Sequence, residues 1–264
     1  MKLIIRCLTI FLVGTFLFIG CNKTNPVQTP QDNSNYFPNT NNTYYKYNIS
    51  LTGPNGNVNA GTKSTTYSGT SFLGNTTYQK QVDTSFTGGL ATSTNISYFR
   101  KDGSGVFYFF DTSGISTFIP SQYLQLLAIS TELHVLYTPL SDGLNWQAYK
   151  LGVAILNYNF IDIESSYLGK ENVTLNLTSG QVTVSAAKIK YVLTLQFPNP
   201  NNPLSAPAKS TLTAYGWFAA DIGPVQWVGN SAVLNGFSGG GINLADTSNS
   251  VSHFEDSYRA NNHK

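Results

Sequence analysis

The 264-residue sequence has few charged side chains and no block of like charges. Lys, Arg, Asp and Glu make up 11% of it, and two of the fifteen basic residues lie within residues 1–20. Without that segment, thirteen basic residues balance thirteen acidic ones. A formally neutral chain lacks the basic surface that phosphate backbones require, so nucleic acid is not an expected partner.

Motifs for binding metals, phosphates or cofactors are also missing from the sequence. The histidines His134, His253 and His263 are far apart, and none has a second His or Cys at a metal-ligand spacing. No Gly-Lys-Ser or Gly-Lys-Thr phosphate loop is present. The glycine run GGGIN lacks a strand-to-helix context and is typical of a loop. We therefore expect no metal and no cofactor.

Long apolar runs are scarce, and the run at the amino end is too short to cross a membrane. Lys2 and Arg6 come first, residues 8–19 are largely apolar, and the small residue Gly20 follows. A spanning helix needs about 20 apolar residues for a hydrocarbon layer of about 30 Å. The layout is typical of a secretory signal cut after Gly20. The alternatives are an uncleaved anchor, or ordinary secretion with a chance cysteine at position 21.

Cysteine is nearly absent, and its placement is informative. Cys7 lies within the predicted signal, so Cys21 would be the single cysteine of the mature chain, which needs an explanation in an exported protein. The stretch Leu17-Phe18-Ile19-Gly20-Cys21 resembles the lipobox of bacterial lipoproteins, with Phe18 where the family usually has Leu. The resemblance implies a diacylglycerol on the Cys21 thiol, cleavage before Cys21, and acylation of the new amino group by a fatty acid such as palmitate.

The residues after Cys21 indicate which membrane would hold the lipid. Asn22 stands where an aspartate would retain a lipoprotein in the inner membrane of enteric bacteria, so the resemblance implies the outer membrane. The stretch CNKTN lacks the acidic cluster that sends some lipoproteins to the cell surface, which favours a periplasm-facing position. Two acyl chains already anchor a protein stably, because each buried CH₂ contributes about 0.8 kcal/mol.

Beyond the signal of residues 1–20, the sequence predicts one domain between two polar ends. Residues 21–35 are expected to form a flexible tether, residues 36–250 a single antiparallel β domain, and residues 251–264 a polar tail that frays. Sixteen Tyr, sixteen Phe and 23 Gly are typical of strands and turns. The predicted fold class is all-β: a strongly curved antiparallel sheet, as a half-barrel or an open sandwich, with or without one short helix.

Alternation of apolar and polar residues marks the individual strands. A sharp hairpin is predicted around Asp102-Gly103, and its second arm, residues 106–110, is apolar on both faces. Either the sheet curls so that its inner face is covered, or another segment packs across it. Residues 121–136 could supply this cover, either as a short helix or with ELHVLY as a strand. The helical stripe would consist of Tyr123, Leu126, Leu127 and Ser130. Other strands are predicted at residues 44–51, 65–72, 77–86, 146–149, 155–163, 173–178, 182–184, 189–197, 210–218 and 223–228.

Several pieces within residues 36–229 resemble, in the right order, a loosely related group of bacterial lipoproteins of unknown function. The pieces are YFPNTNNTYYKYNI, SDGLNWQAY, VTVSAAKIKYVLTL and AYGWFAADIGPVQW. Asn41, Tyr44 and Pro224 depart from the group's usual Gly, Trp and branched apolar residue. The resemblance implies a curved antiparallel sheet similar to the half-barrel of periplasmic lipoprotein carriers, and it implies no particular activity.

One pair of carboxylates is a candidate for catalysis. Asp162 and Glu164 lie two residues apart in NFIDIES, so they project from one face of a strand about 7 Å apart, with Glu171 nearby in sequence. Glycoside cleavage needs two carboxylates roughly 5 to 10 Å apart. The competing interpretation is a solvated strand face, with Ile161 and Ile163 turned inward.

Two classes of function remain open at this point. The first is a non-enzymatic module, anchored to the bilayer through Cys21, that binds an apolar ligand, a glycan or a protein partner in the hollow of the sheet. The second is an envelope glycoside hydrolase that uses Asp162 and Glu164. An aromatic-lined cleft around the carboxylates would favour the enzyme, and an open convex face would argue against it. A closed hollow of several hundred Å³ would indicate a lipid-like ligand, and a filled core would indicate adhesion or assembly. Trp146, Trp217 and Trp227 could stack on sugars, but core positions are the more ordinary expectation.

Overall fold

The structure is a computed structural model, and a compact unit within it begins at Gln31. The residues that the structure describes are 30–53, 55–112, 124–153, 158–177, 180–197, 208–237 and 249–256. Cys21 and the predicted signal lie outside them. None of the helices in these ranges is both long enough and apolar enough to span a bilayer.

In its described residues this unit has thirteen strands and one short helix, which confirms the predicted all-β class. The first seven strands are β1 (Tyr44–Gly53), β2 (Gly56–Leu73), β3 (Thr76–Thr87), β4 (Leu90–Asp102), β5 (Gly105–Phe109), β6 (Leu127–Ile129) and β7 (Glu132–Tyr137). The others are β8 (Asn145–Val153), β9 (Tyr158–Leu177), β10 (Gly180–Phe197), β11 (Ala208–Ala219), β12 (Gly223–Asn230) and β13 (Asn249–Asp256), with helix α1 (Ser231–Phe237) between β12 and β13.

All thirteen strands belong to one antiparallel sheet in the order β6-β8-β9-β10-β11-β12-β13-β1-β2-β3-β4-β5-β7. Most neighbours in the sheet are also neighbours along the chain, as in a meander. The exception that joins the two halves is β13, which pairs with β12 on one side and with β1 on the other. The sheet therefore extends to Asp256, and the first residues of the predicted polar tail form part of a strand.

The sheet curls so far that its two ends approach each other. Strand β7 is last in the sheet order, yet it contacts β8 near the opposite end. The Tyr191 hydroxyl of β10 crosses the interior and donates to the Val135 carbonyl of β7 at 2.8 Å. The Trp146 indole of β8 donates to the His134 carbonyl at 2.9 Å. Side chains thus satisfy backbone groups of β7 that no further strand pairs with, which closes the curl as a half-barrel.

The inner face of the curl holds the core. On β10 the alternating residues Ile189, Tyr191, Leu193 and Leu195 are all buried, as the sequence period predicts. Full burial of each such side chain contributes roughly 1.5–3 kcal/mol before conformational entropy is subtracted. At one end of the barrel, Tyr36 and Phe37 of the segment before β1 are also almost fully buried. The compact unit begins at Gln31, so residues 31–35 of the predicted tether belong to it.

The hairpin at Asp102-Gly103 is confirmed, and the segment predicted as a cover lies beside its second arm as a strand of the same sheet, so the curl of the sheet covers the inner face. Residues 132–137 form β7, which pairs with β5 through contacts such as Val106 opposite Leu136. The alternative helix is wrong for Leu127, which lies in β6, and for Ser130, which follows it; Tyr123 lies outside the described residues. Pairing satisfies the backbone of β5, which an isolated helical turn would have left open.

Strands β6 and β13 and helix α1 were not predicted at these positions. Strands β9 and β10 continue through stretches that the sequence divides into shorter strands, because a bulge in β9 between Tyr167 and Lys170, opposite Ala187–Ile189, absorbs a break in the alternation. Helix α1 begins after Asn230, whose side-chain oxygen accepts from the Ala232 amide at 3.0 Å as an N-cap. It buries Val233 and Phe237 against the barrel interior.

Candidate functional site

A cleft of about 230 Å³ opens on the surface of the described unit, and we call it the N-terminal cleft. It lies between the segment that enters the domain and the β4–β5 hairpin, beside the start of the β7–β8 connection. The residues that line it are Asn33, Ser34, Asn35, Tyr36, Phe37, Lys101, Asp102, Gly103, Val106, Leu136, Thr138 and Pro139. The exposed lining is mostly polar, and the apolar floor beneath it consists of Phe37, Val106 and Leu136, which are almost fully buried.

Lys101 is the cation of the N-terminal cleft. Its ammonium donates to the Asn35 side-chain oxygen at 2.5 Å and to the Phe37 carbonyl at 2.9 Å. Partial burial lowers the pKa of Lys101, and the negative charge of Asp221 opposes that effect. Lys101 therefore links the entering segment to β4 with a charge that is only partly hydrated.

Asp32 fastens the entering segment to the barrel. Its backbone exchanges two hydrogen bonds with Leu140, at 2.7 and 3.0 Å. Its carboxylate pairs with the Lys170 ammonium at 2.7 Å and accepts from the Tyr36 hydroxyl at 2.5 Å. Burial raises the pKa of Asp32, but the hydrogen bonds from Lys170, Ser34 and Tyr36 together lower it well below the usual range. One wall of the cleft is thus held in place by ionic and backbone contacts.

An ion-pair cluster on the outer face supports the opposite wall. Arg100 donates from two nitrogens to the Glu132 carboxylate, at 2.5 and 2.6 Å, and from a third nitrogen to Asp102. Asp102 also accepts from the amide and the hydroxyl of Ser104. Burial raises the pKa of Asp102, but these hydrogen bonds outweigh it and lower the pKa to about 2. The hydrogen bond from Arg100 likewise lowers the pKa of Glu132.

A second group of polar residues lies on the inner face, and we call it the interior polar cluster. Asp83 of β3, 3% exposed, accepts from the Thr65 hydroxyl at 2.5 Å and from the Gln81 amide at 3.1 Å. The Lys63 ammonium lies 4.0 Å from Oδ2 of Asp83. The Tyr108 hydroxyl donates to the side-chain oxygen Oε1 of Gln81 at 2.5 Å. Burial, with the charge of Asp83 adding to it, raises the pKa of Tyr108 well above its usual value, so this hydroxyl stays neutral.

The interior polar cluster borders a cavity of only about 40 Å³, which has space for about one water. Trp227, Leu234 and Phe237 form its apolar side. The buried Ser97 hydroxyl, on the strand position opposite Gln81, has no hydrogen-bond partner among the described residues. At this cavity, between the interior polar cluster and helix α1, side chains fill most of the space.

The structure places the carboxylate pair of β9 away from both sites. Ile163 between them is buried toward the core, so Asp162 and Glu164 project from the outer face, as in the solvated-face interpretation. Asp162 accepts from Gln147 at 2.6 Å and from Asn159 at 3.1 Å. Neither carboxylate lines the N-terminal cleft or the interior cavity. This position argues against their use as a glycosidase pair.

Glu171 has a separate, structural set of contacts. Its carboxylate pairs with Lys188 at 2.8 Å and accepts from the Trp217 indole at 3.0 Å. Trp217 and Trp146 are more than 90% buried, and Trp227 packs on Phe237. Core positions for the three tryptophans are therefore confirmed.

The remaining sequence candidates are not brought together. His134 lies on the outer face, where it stacks on Phe107 with ring centroids 4.1 Å apart, and burial lowers its pKa. His253 lies on β13, and His263 and Cys21 lie outside the described residues. Within the described ranges, no three His, Cys, Asp or Glu side chains are grouped closely enough to hold a metal ion.

The sequence analysis did not identify Lys101 or Asp83, because both are single charged residues within strands and nothing local distinguishes them from solvated positions. Residues 236–240 also have the Gly-x-Ser-x-Gly spacing of a nucleophile elbow, with Ser238 at its centre. An elbow serine sits between a strand and the following helix, whereas Ser238 follows helix α1 and lies outside the described residues.

No protein-family model matches the chain, and no curated protein matches it. Two solved structures are similar to it in backbone. One is a candidate lipoprotein from Parabacteroides distasonis, with 13% sequence identity and a TM-score of 0.45, covering 86% of this chain and 99% of that one. The other is a candidate exported protein with a YmcC-like fold from Bacteroides fragilis, with 14% identity and a TM-score of 0.44, covering 84% of this chain and 98% of that one. We take no functional conclusion from a likeness at this level.

Proposed function

We propose that this chain is a lipid-anchored protein of the bacterial cell envelope, held at the outer membrane through acylated Cys21, with the periplasm-facing side favoured. Its β domain binds a small ligand without catalysis. The observation that carries the proposal is the N-terminal cleft of about 230 Å³, which combines an apolar floor with polar groups from two separate segments. Convergent polar groups over an apolar floor are the usual features of a binding site.

The size of the cleft limits the ligand. Sites for drug-sized ligands have volumes of about 300–1,000 Å³, so a cleft of about 230 Å³ suits a smaller molecule. The cavity at the interior polar cluster, of about 40 Å³, is too small for a long acyl chain. The ligand site is therefore the cleft beside the entering segment, and the hollow of the sheet serves as the core.

The anchor is tested by mass spectrometry of the full-length protein purified from membranes. We expect a mature chain that begins at Cys21 and carries the mass of a diacylglycerol and one further acyl group. Cys21→Ser should leave the signal uncut or release the protein from the membrane. Normal processing and unchanged membrane retention of the Cys21→Ser variant would contradict the anchor.

The ligand site is tested by native mass spectrometry of the same material before and after filling the cleft. A Cβ at Gly103 would meet nothing within 4 Å, so Gly103→Trp adds a large side chain at the cleft without a backbone clash. Thr94→Trp, at an exposed position of β4, is the matched control. We expect a retained small molecule with Thr94→Trp and its loss with Gly103→Trp. Equal retention by both variants would place the ligand elsewhere.

A further inference from the structure

The ammonium of Lys101, a residue that lines the N-terminal cleft, uses two of its three donors in the hydrogen bonds that the structure shows. A lysine side chain carries three N–H donors and no acceptor. Two of them are directed to neutral oxygens of the entering segment, on Asn35 and Phe37. Among the described residues, no protein acceptor lies within hydrogen-bond distance of the third donor in addition to these two. The cleft therefore offers one strongly polarised donor at a fixed place.

The positive charge of Lys101 is also uncompensated at short range. Ion pairs in the described part of the chain join Lys63, Arg100, Lys170 and Lys188 to carboxylates, and Lys101 takes part in none of them. Asp102, the acidic residue of the lining, is occupied by Arg100 and Ser104.

The other acidic groups near the cleft are similarly engaged or more distant. Asp32 is paired with Lys170, and Asp221 acts on Lys101 through space without forming an ion pair. A half-buried cation without a contact carboxylate is costly, because hydration is reduced and no opposite charge replaces it. An anion in the cleft would supply that charge.

We propose that Lys101 binds the carboxylate of a small ligand in the N-terminal cleft. This inference rests on the proposed function, because it names the class of ligand for the same cleft. The carboxylate oxygen accepts the third N–H of Lys101 as a charge-assisted hydrogen bond, which is roughly twice as strong as a neutral one. The rest of the ligand lies over the apolar floor.

A carboxylate fits this cleft better than a phosphate does. A phosphate carries up to two charges and three acceptor oxygens, which proteins usually match with several donors or with arginine forks. The cleft presents one cation, and the nearest arginine, Arg100, is already occupied by Glu132 and Asp102. A second negative charge would also face the carboxylate of Asp102 on the rim.

The floor and the size of the cleft define the rest of the ligand. Pro139 and the aliphatic parts of Thr138 and Lys101 supply apolar surface that a ligand can reach, above the almost fully buried floor of Val106, Leu136 and Phe37. The volume of about 230 Å³ corresponds to roughly seven or eight waters. A monocarboxylate with a compact apolar or aromatic body matches both properties.

The test uses the full-length lipidated protein in detergent and two fluorinated probes observed by ¹⁹F NMR. 4-Fluorobenzoate carries the carboxylate, and 4-fluorobenzamide is its neutral analogue of the same shape. We expect saturable binding of the benzoate and about ten- to hundredfold weaker binding of the benzamide. Acetate should displace the benzoate more effectively than inorganic phosphate does. Lys101→Met, which keeps an apolar stem and loses the charge, should weaken benzoate by a similar factor, whereas Lys101→Arg retains it.

Lys150→Met, on an exposed position of β8, is the control for a general loss of positive charge and should leave binding unchanged. The folded state of each variant is checked by near-ultraviolet circular dichroism. Equal binding of benzoate and benzamide, with loss of both in Gly103→Trp, overturns the carboxylate inference and leaves the cleft as a site. Preference for phosphate also overturns it. Binding of neither probe, together with no retained molecule in native material, overturns the proposed function as well.

Discussion

Removal of the Asp83 carboxylate tests whether the interior polar cluster stabilises the barrel. In the Asp83→Ala variant, the Thr65 hydroxyl and the Gln81 amide lose their acceptor while both remain buried. Each buried donor left without a partner costs about 1–3 kcal/mol, so the free energy of unfolding should fall by about 2–6 kcal/mol. Loss of the ion pair with Lys63 adds little to this cost, because the lysine is partly exposed and its ammonium is 4.0 Å from Asp83.

The assay is urea unfolding followed by tryptophan fluorescence, with a double-mutant cycle. Thr65→Val removes the orphaned hydroxyl at nearly constant shape, so Thr65→Val/Asp83→Ala should cost at least about 1 kcal/mol less than the two single changes added together. Asp162→Ala is the matched control. Asp162 also accepts two side-chain hydrogen bonds, but water can reach the donors, so we expect a cost below about 1 kcal/mol.

Two results would refute this reasoning about burial. A loss below about 1 kcal/mol in Asp83→Ala would mean that water enters the cluster freely. Strict additivity in the cycle would mean that the Thr65 hydroxyl finds another partner. In either case the interior polar cluster would be a hydrated surface, and its carboxylate would contribute no more than Asp162 does on the outer face.

Two further predictions concern the outer ion pairs and a bulge. The hydrogen bond from Arg100 holds the pKa of Glu132 below its usual 4.5. The stability that this pair contributes is therefore complete above about pH 4.5 and is lost as the pH falls through the lower folded-state pKa. Arg100→Met should flatten the acid limb of a stability-versus-pH curve, and an unchanged limb would contradict the role of the pair. Gly61 has a φ of 123°, and a Cβ there would lie 2.0 Å from the Phe86 carbonyl oxygen, so Gly61→Ala should cost at least about 2 kcal/mol in urea unfolding. Gly56→Ala, with a φ of 98° and open space, should cost clearly less, and equal losses would show that φ alone matters.

Local features of the sequence were sufficient for most strands. Residues 189–197 alternate so regularly that the buried face of β10 could be named in advance. The turn residues Asp102-Gly103 likewise predict the hairpin between β4 and β5. Both depend on interactions within a few residues. Helix α1 was missed because its single strong signal is the N-cap Asn230, and its seven residues are too few to show a helical period.

The sites required contacts between segments that are distant in the chain. Lys101 meets Asn35 across 66 positions, and Tyr45 meets the Ile222 carbonyl across 177. The sequence did provide a pair of carboxylates with plausible spacing, Asp162 and Glu164. Their spacing determines which face of a strand they share, but it does not determine whether that face is inside or outside.

The sequence by itself determined the strand period, the all-β class and the expectation of a lipid anchor at Cys21. Tertiary structure decided the order of the thirteen strands, the place of β13 between β12 and β1, and the closure of the curl by Tyr191. The physical reason is that side-chain alternation records which residues avoid water, whereas strand order depends on which backbone edges meet after the chain has curled. For the same reason only the folded chain could place Lys101 in a cleft and Asp83 in the core.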